Sequence, residues 1–223
     1  MITVHHLEHS RSHRILWLLE ELGVAYEMVR YARDPVTMLA PPGLRAIHPL
    51  GKAPVLVDGE IVVAESGAIL EYLIERHDSK GAFAPATGTE AHRRYRYWMH
   101  YAEGSAMPPL LLSLVLSRIR TAPMPFFARP IARGIADKVM HGFVGPQLRT
   151  HFGFVDAELA KSSWMTGDAF SAADVQMSFP LEAALVRGDA ATWPNIARWV
   201  ERIRARPAYI RAVERGGPVE IMR

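Results

Sequence analysis

The chain has 223 residues, 49% hydrophobic and 22% charged, and 26 Lys and Arg against 23 Asp and Glu leave a formal net charge of +3. That is enough sequence for one large domain or two small ones with a real core, and the charge is too small and too dispersed to point to nucleic acid. The lack of cysteine excludes disulfides, thiolate metal sites and a cysteine nucleophile carried by the protein itself, and fits a reducing compartment.

In chain order, Ile2 to Leu7 is predicted as a strand. A turn with two hydroxyls, Ser10 and Ser12, leads into a helix. Ile15, Leu16, Trp17, Leu18, Leu19 and Leu22 leave that helix almost no polar face, so it is expected to be buried on more than one side. Gly23 supplies its stop through positive φ. Tyr26 to Tyr31 alternates and reads as a second strand, broken by Arg33-Asp34-Pro35. Pro41-Pro42 opens a short helix with Leu44 and Ile47 inward. Two apolar runs flanking Asp58-Gly59 read as a hairpin, with Pro54 at a strand start. Glu65-Ser66-Gly67 precedes an amphipathic helix that ends near His77. The order β-α-β-α-β-β-α is a small mixed sheet with helices on its faces.

Residues 79–88 are rich in turn formers and read as a linker. From 89 to 223 the pattern is helical only. Pro108-Pro109 interrupts or kinks it, and Gly145-Pro146 is expected to make an irregularity in a long helix from Ile131 to about Ala160. Ser171 and Asp174 have the spacing of a capping box, with Phe170 and Val175 at the staple positions. Another helix opens at Thr192-Trp193-Pro194 and ends before Arg206-Pro207. No run of about 18 apolar residues suggests a membrane span, and MITVHHLEHS lacks the pattern of a secretory signal, so a cytoplasmic protein is expected.

The turn at Ser10 and Ser12 admits two readings. One or both hydroxyls cap the helix, or the free N–H groups and positive dipole end there bind an anion such as a thiolate. His5, His6, His9 and His13 suggest a metal cluster at first sight, but a strand puts His5 and His6 on opposite faces, so no metal site is expected.

Four segments, SRSHRILWLLEELG, HPLGKAPVLVDG, AESGAILEYL and FSAADVQMSFPL, together resemble the cytosolic glutathione transferases, in order and at the expected spacing over nearly the whole chain. The resemblance is closest to fungal and bacterial members with a serine in the first turn. It implies a thioredoxin-like glutathione-binding domain over residues 1–78, an all-helical bundle domain over 89–223, and usually a homodimer. Carried onto this chain, it makes Ser10 the hydroxyl that faces the glutathione sulfur, with Ser12 the lesser candidate and Arg11 adding positive potential. Ala53, before the family's cis proline at Pro54, would pair its backbone with the cysteinyl part of glutathione. Lys52 would meet the glycine end, Glu65 the γ-glutamyl ammonium and Ser66 its carboxylate. The bland alternatives are a solvated Lys52 and a mere helix cap at Glu65 and Ser66. No tyrosine precedes Glu21 and no cysteine exists, so the tyrosine-type and mixed-disulfide versions are excluded. Conjugation to hydrophobic electrophiles, or peroxide or disulfide reduction by activated glutathione, remains. Glutathione is a co-substrate, and no other cofactor is implied. The second substrate is expected between the domains near Tyr97 and Tyr101, with a core role for those rings as the alternative. A non-catalytic binding or assembly protein of the same fold is the competing reading.

Overall fold

The computed structural model describes residues 1–187 and 190–219. Four strands, β1 (Ile2–Leu7), β2 (Tyr26–Tyr31), β3 (Val55–Asp58) and β4 (Ile61–Ala64), form one mixed sheet in the order β2-β1-β3-β4. β1 runs parallel to β2 and antiparallel to β3, and β3 and β4 make the hairpin expected at Asp58-Gly59, with Gly59 at φ 61°. The parallel pair needs a crossover, which α1 (His13–Leu22) supplies. Two further helices, α2 (Gly43–Ile47) and α3 (Ser66–His77), complete the predicted order. Gly23 ends α1 in the left-handed region, its N–H bonded to the Leu19 carbonyl.

Helices α4 (Glu90–Tyr101), α5 (Met107–Thr121), α6 (Arg129–Val139), α7 (Gly145–Leu159), α8 (Ala172–Arg187), α9 (Pro194–Arg204) and α10 (Pro207–Gly216) follow. The two proline positions act one turn earlier than the sequence suggests. A π turn, Ala102–Ala106, precedes Pro108-Pro109, and a second, Met140–Val144, precedes Pro146. Proline lacks an N–H and its ring crowds the carbonyl a turn upstream, so the ladder slips by one residue. Met107 N–H accordingly bonds Ala102 O, and Gly145 N–H bonds Met140 O. A Cβ on Gly145 would lie 2.9 Å from that Met140 oxygen.

Ser171 and Asp174 form only part of the expected capping box. Ser171 N–H donates to Asp174 Oδ2 at 2.9 Å, but the Ser171 hydroxyl also donates to that carboxylate, at 3.1 Å. Asp174 further accepts Met165 N–H at 2.9 Å, so the pair fixes a loop as well as a helix start.

One apolar core runs through sheet and helices alike. Residues 13 to 19 of α1 are all buried, as a helix without a polar face requires. Trp17 meets Tyr209 of α10 edge-on and Phe170 at a tilt, with ring centroids 5.1 and 5.6 Å away. Gly216 lets α10 settle on the sheet domain, since a Cβ there would stand 2.5 Å from Leu16 Cδ1. No helix of the described residues is long and apolar enough to cross a membrane.

Candidate active site

The turn between β1 and α1 opens with His9 at φ 53°, a conformation that costs a non-glycine residue energy and persists only where surroundings enforce it. Ser10 and Ser12 follow with different environments. Ser12 is fully buried. Its Oγ accepts Leu7 N–H at 3.2 Å and lies 2.8 Å from His6 Nδ1, and it makes no capping bond to α1. Ser10 Oγ sits 2.7 Å from Ser12 Oγ, accepts Ser12 N–H at 3.2 Å, and lines an open cavity.

The far end of this chain of bonds fixes its polarity. His6 Nε2 lies 2.9 Å from the Gly216 carbonyl, which can only accept, so Nε2 carries the proton and Nδ1 is an acceptor. Ser12 therefore donates to His6, and Ser10 donates to Ser12. Burial keeps His6 below the ordinary histidine range, and Arg30 works in the same direction, against the Gly216 carbonyl and Glu8.

Two depressions meet at Arg11, Lys52 and Ala53, and Ser10 lines the larger of them. The smaller, of about 210 Å³, is lined by Arg11, Lys52, Ala53, Pro54, Glu65 and Ser66, with Glu103 from the helical half. Six of the residues expected to hold glutathione thus share one groove. The Ala53–Pro54 peptide bond is cis. Glu65 is exposed, at φ 73°, and its side chain makes no capping bond. Ser66, buried, begins the twelve-residue α3. Arg11 Nε donates to both Glu103 oxygens at 3.0 Å, and the fully buried Arg14 donates to Glu103 Oε1 at 2.6 Å. Burial pushes the Arg14 pKa down to about 10, which leaves it charged at neutral pH. Burial would raise the Glu103 carboxyl, but Arg14 and Arg11 outweigh it and hold it below the usual glutamate range.

The larger cavity, of about 400 Å³, shares Arg11, Lys52 and Ala53 with the groove and adds Ser10, Arg33, Leu110, Phe179 and Arg187 among its walls. Tyr97 and Tyr101 line neither space. Tyr101 is buried, its hydroxyl 2.7 Å from His151 Nδ1, and both tyrosine rings pack near Phe154 of α7. Tyr101 fits its core alternative, and the larger cavity has a wall from α5 and α8 that the sequence reading did not single out. Its signal lay in the apolar run from Leu110 and in Phe179, two turns into the helix that Asp174 starts. Among the described residues no group of three His, Asp or Glu side chains could hold a metal ion.

Comparison with known proteins agrees with this architecture. The family model for the glutathione S-transferase N-terminal domain matches residues 1–75, and that for the C-terminal domain matches residues 143–207. Glutathione S-transferase 1 of Saccharomyces cerevisiae is 36% identical over 96% of this chain and 95% of its own length. Glutathione S-transferase 3 of Schizosaccharomyces pombe is 38% identical over 96% and 88%. A crystal structure of a glutathione S-transferase from Actinobacillus pleuropneumoniae superposes with a TM-score of 0.84 at 38% identity, covering 99% of this chain and 95% of that one. A thioredoxin-like sheet domain joined to a helical domain, with an open groove at the first helix, is the class defined by fold and site. The chain belongs to the glutathione S-transferase family and is a glutathione transferase enzyme.

Proposed function

We propose that the groove binds glutathione and that Ser10 donates a hydrogen bond to its sulfur, holding it as the thiolate that attacks a hydrophobic electrophile. The observation that carries this reading is the contrast between the hydroxyls: Ser10 faces the cavity, whereas Ser12 is buried with its proton committed to His6. Ser10 need only exchange its bond to Ser12 for one to sulfur. Ser12 Oγ keeps its bonds to Leu7 and His6 when that happens.

The magnitudes suffice. A free thiol titrates near about 8.5, and lowering that by two units takes about 2.7 kcal/mol. One hydrogen bond to a charged group supplies about 1.5–3 kcal/mol, and the nearby α1 N-terminus adds about 0.3–1 kcal/mol. Lys52 would meet the glycine carboxylate, the Ala53 backbone the cysteinyl unit, and Glu65 and Ser66 the γ-glutamyl ammonium and carboxylate, a reading supported by their sharing one groove. Arg11 adds positive potential to the groove while Glu103 holds it in place. In conjugation to an aryl chloride the sulfur–carbon bond forms, chloride leaves with the bonding pair, and the thiol proton passes to solvent. Glutathione-dependent reduction of peroxides or disulfides would use the same activated sulfur.

The second substrate occupies the larger cavity against α5 and α8, not the Tyr97 and Tyr101 face. The protein works in the cytoplasm as a homodimer. The edge strand β4 leaves Ile61 and Val62 partly exposed and Tyr97 is 48% exposed, apolar surface that a second copy would cover. Sedimentation at micromolar concentration reads the dimer directly. Calorimetric titration with glutathione, paired with a conjugation assay on a chlorinated nitroaromatic, tests the function: binding with turnover supports it, and binding without turnover leaves a binding protein.

A further inference from the structure

The hydrogen-bonded row behind Ser10 has a second proton arrangement that its heavy atoms already fit. Its members are Ser10 Oγ, Ser12 Oγ 2.7 Å on, His6 Nδ1 2.8 Å beyond, and the Gly216 carbonyl 2.9 Å from His6 Nε2. Ser12 N–H donates to Ser10 Oγ and Leu7 N–H to Ser12 Oγ, both at 3.2 Å, so the backbone fills one acceptor position on each hydroxyl. A hydroxyl donates once and accepts twice. With His6 neutral, Ser10 donates to Ser12 and Ser12 to His6, and Ser10 keeps one acceptor position for an arriving thiol. With His6 protonated on both nitrogens, Nδ1 donates to Ser12, Ser12 to Ser10, and Ser10 into the cavity. Every bond survives the reversal, and Nε2 keeps the Gly216 carbonyl in both states. Glycine suits that contact, since a Cβ at 216 would crowd His6 Nε2 at 3.4 Å. The charged groups acting on His6 are Glu8 and Arg30 of β2, which pair with each other at 2.9 Å. His13 of α1 shares one small void with His6 and His9. Burial, with His6 adding to it, pushes His13 down to about 3, so it stays neutral. Burial also opposes a lone imidazolium at His6, which therefore forms opposite an anion.

We propose that His6 is the internal proton acceptor for the glutathione thiol, reached through Ser10 and Ser12. The S–H bond breaks as its proton passes to Ser10 Oγ, the Ser10 proton passes to Ser12 Oγ, and the Ser12 proton passes to His6 Nδ1. One S–H bond is exchanged for one N–H bond, and a thiolate stands at one end with an imidazolium at the other. Ser10 then donates to sulfur while its oxygen accepts from both Ser12 O–H and Ser12 N–H, which polarises it as a donor. Sulfur and His6 titrate as a pair. After the thioether leaves, water takes the place of the sulfur and the reverse shift hands the proton to it, so the reaction as a whole still delivers the proton to solvent. His6 acts through two hydroxyls and is a positioning residue, not one that touches substrate. This inference rests on the reading that the glutathione sulfur lies against Ser10.

The test has two arms. In the first, NMR of isotope-labelled histidine follows the titration of His6 in the wild-type protein saturated with glutathione sulfonate, a permanent anion at the sulfur position, or with S-methylglutathione, which carries no charge there. The His6 midpoint is expected about one unit higher with the sulfonate, a tenfold stronger hold on the proton, and Ser10→Ala to remove most of that difference. A charge acting only through space would survive that substitution. Equal midpoints with both ligands bound, or a difference that Ser10→Ala leaves in place, overturn the proposal and leave the transferase reading standing. A protein that binds neither ligand removes the glutathione reading and this inference with it. In the second arm, His6→Asn keeps a side-chain donor and acceptor beside Ser12 but cannot take up a proton. With saturating glutathione, its kcat/KM for a chlorinated nitroaromatic, corrected for the uncatalysed rate, is expected about tenfold below wild type at about pH 5.5 and equal to it at about pH 9, where solvent removes the thiol proton unaided. A deficit of the same size at both pH values marks a structural lesion and overturns the relay.

Discussion

Two serines two positions apart differ in what their protons are free to do. Ser12 satisfies Leu7 N–H and His6 Nδ1 in a fully buried position. Ser12→Ala leaves both without their partner, so a loss of about 1–3 kcal/mol is expected in denaturant unfolding. Ser10→Ala removes a side chain from a cavity wall and is expected to leave the fold intact and to weaken glutathione binding only about three- to fourfold at pH 7. It is expected to lower kcat/KM for a chlorinated nitroaromatic by about 10–100-fold, matching one lost bond to a charged group. Spacing in the sequence brought both hydroxyls to the turn but could not say which is buried, because that depends on His6 and on the Gly216 carbonyl 210 residues away. Arg14 carries the same lesson. In a linear reading it is one of the few polar residues on α1; in the fold it is buried against Glu103, 89 residues on.

At the level of elements, punctuation by Gly, Pro and Asp made most of the fold legible. The Asp58-Gly59 hairpin, the Gly23 stop and the order of the sheet domain all follow from local chemistry. The π turns did not, because a proline disturbs the carbonyl one turn before it rather than its own position. Asp174 does more than start α8: it ties Met165, Ser171 and Trp199 to one carboxylate. Asp174→Ala is expected to cost about 3 kcal/mol in thermal or denaturant unfolding, since several buried donors lose their acceptor at once. The wall of the larger cavity was visible in the sequence only as apolar runs. Which of those runs faces the groove is set by how α5 and α8 pack, and periodicity does not encode that.

For the molecule as a whole, Glu103 joins the sheet domain to the helical half through Arg11 and Arg14 of the opposite side. Glu103→Gln leaves the buried Arg14 charge poorly matched and is expected to destabilise by about 3 kcal/mol at pH 7. The Glu103 carboxyl is held below its ordinary value of 4.5, so its folded state binds the proton less readily than the unfolded chain does. Its contribution is therefore complete above about pH 5 and lost as pH falls through the lowered folded value. Urea unfolding from pH 7 to 3 should show the gap between wild type and Glu103→Gln closing at the acid end. A gap that stays constant with pH would remove Glu103 as the clamp.

The proposed bond from Ser10 to sulfur is read most directly by the ultraviolet thiolate absorbance of bound glutathione as a function of pH. The bound thiol is expected to titrate about two units below its free value near 8.5, and Ser10→Ala to move that inflection up by about one to two units. A bound thiol that titrates at the free value in the wild type, or an inflection that Ser10→Ala leaves in place, would contradict it.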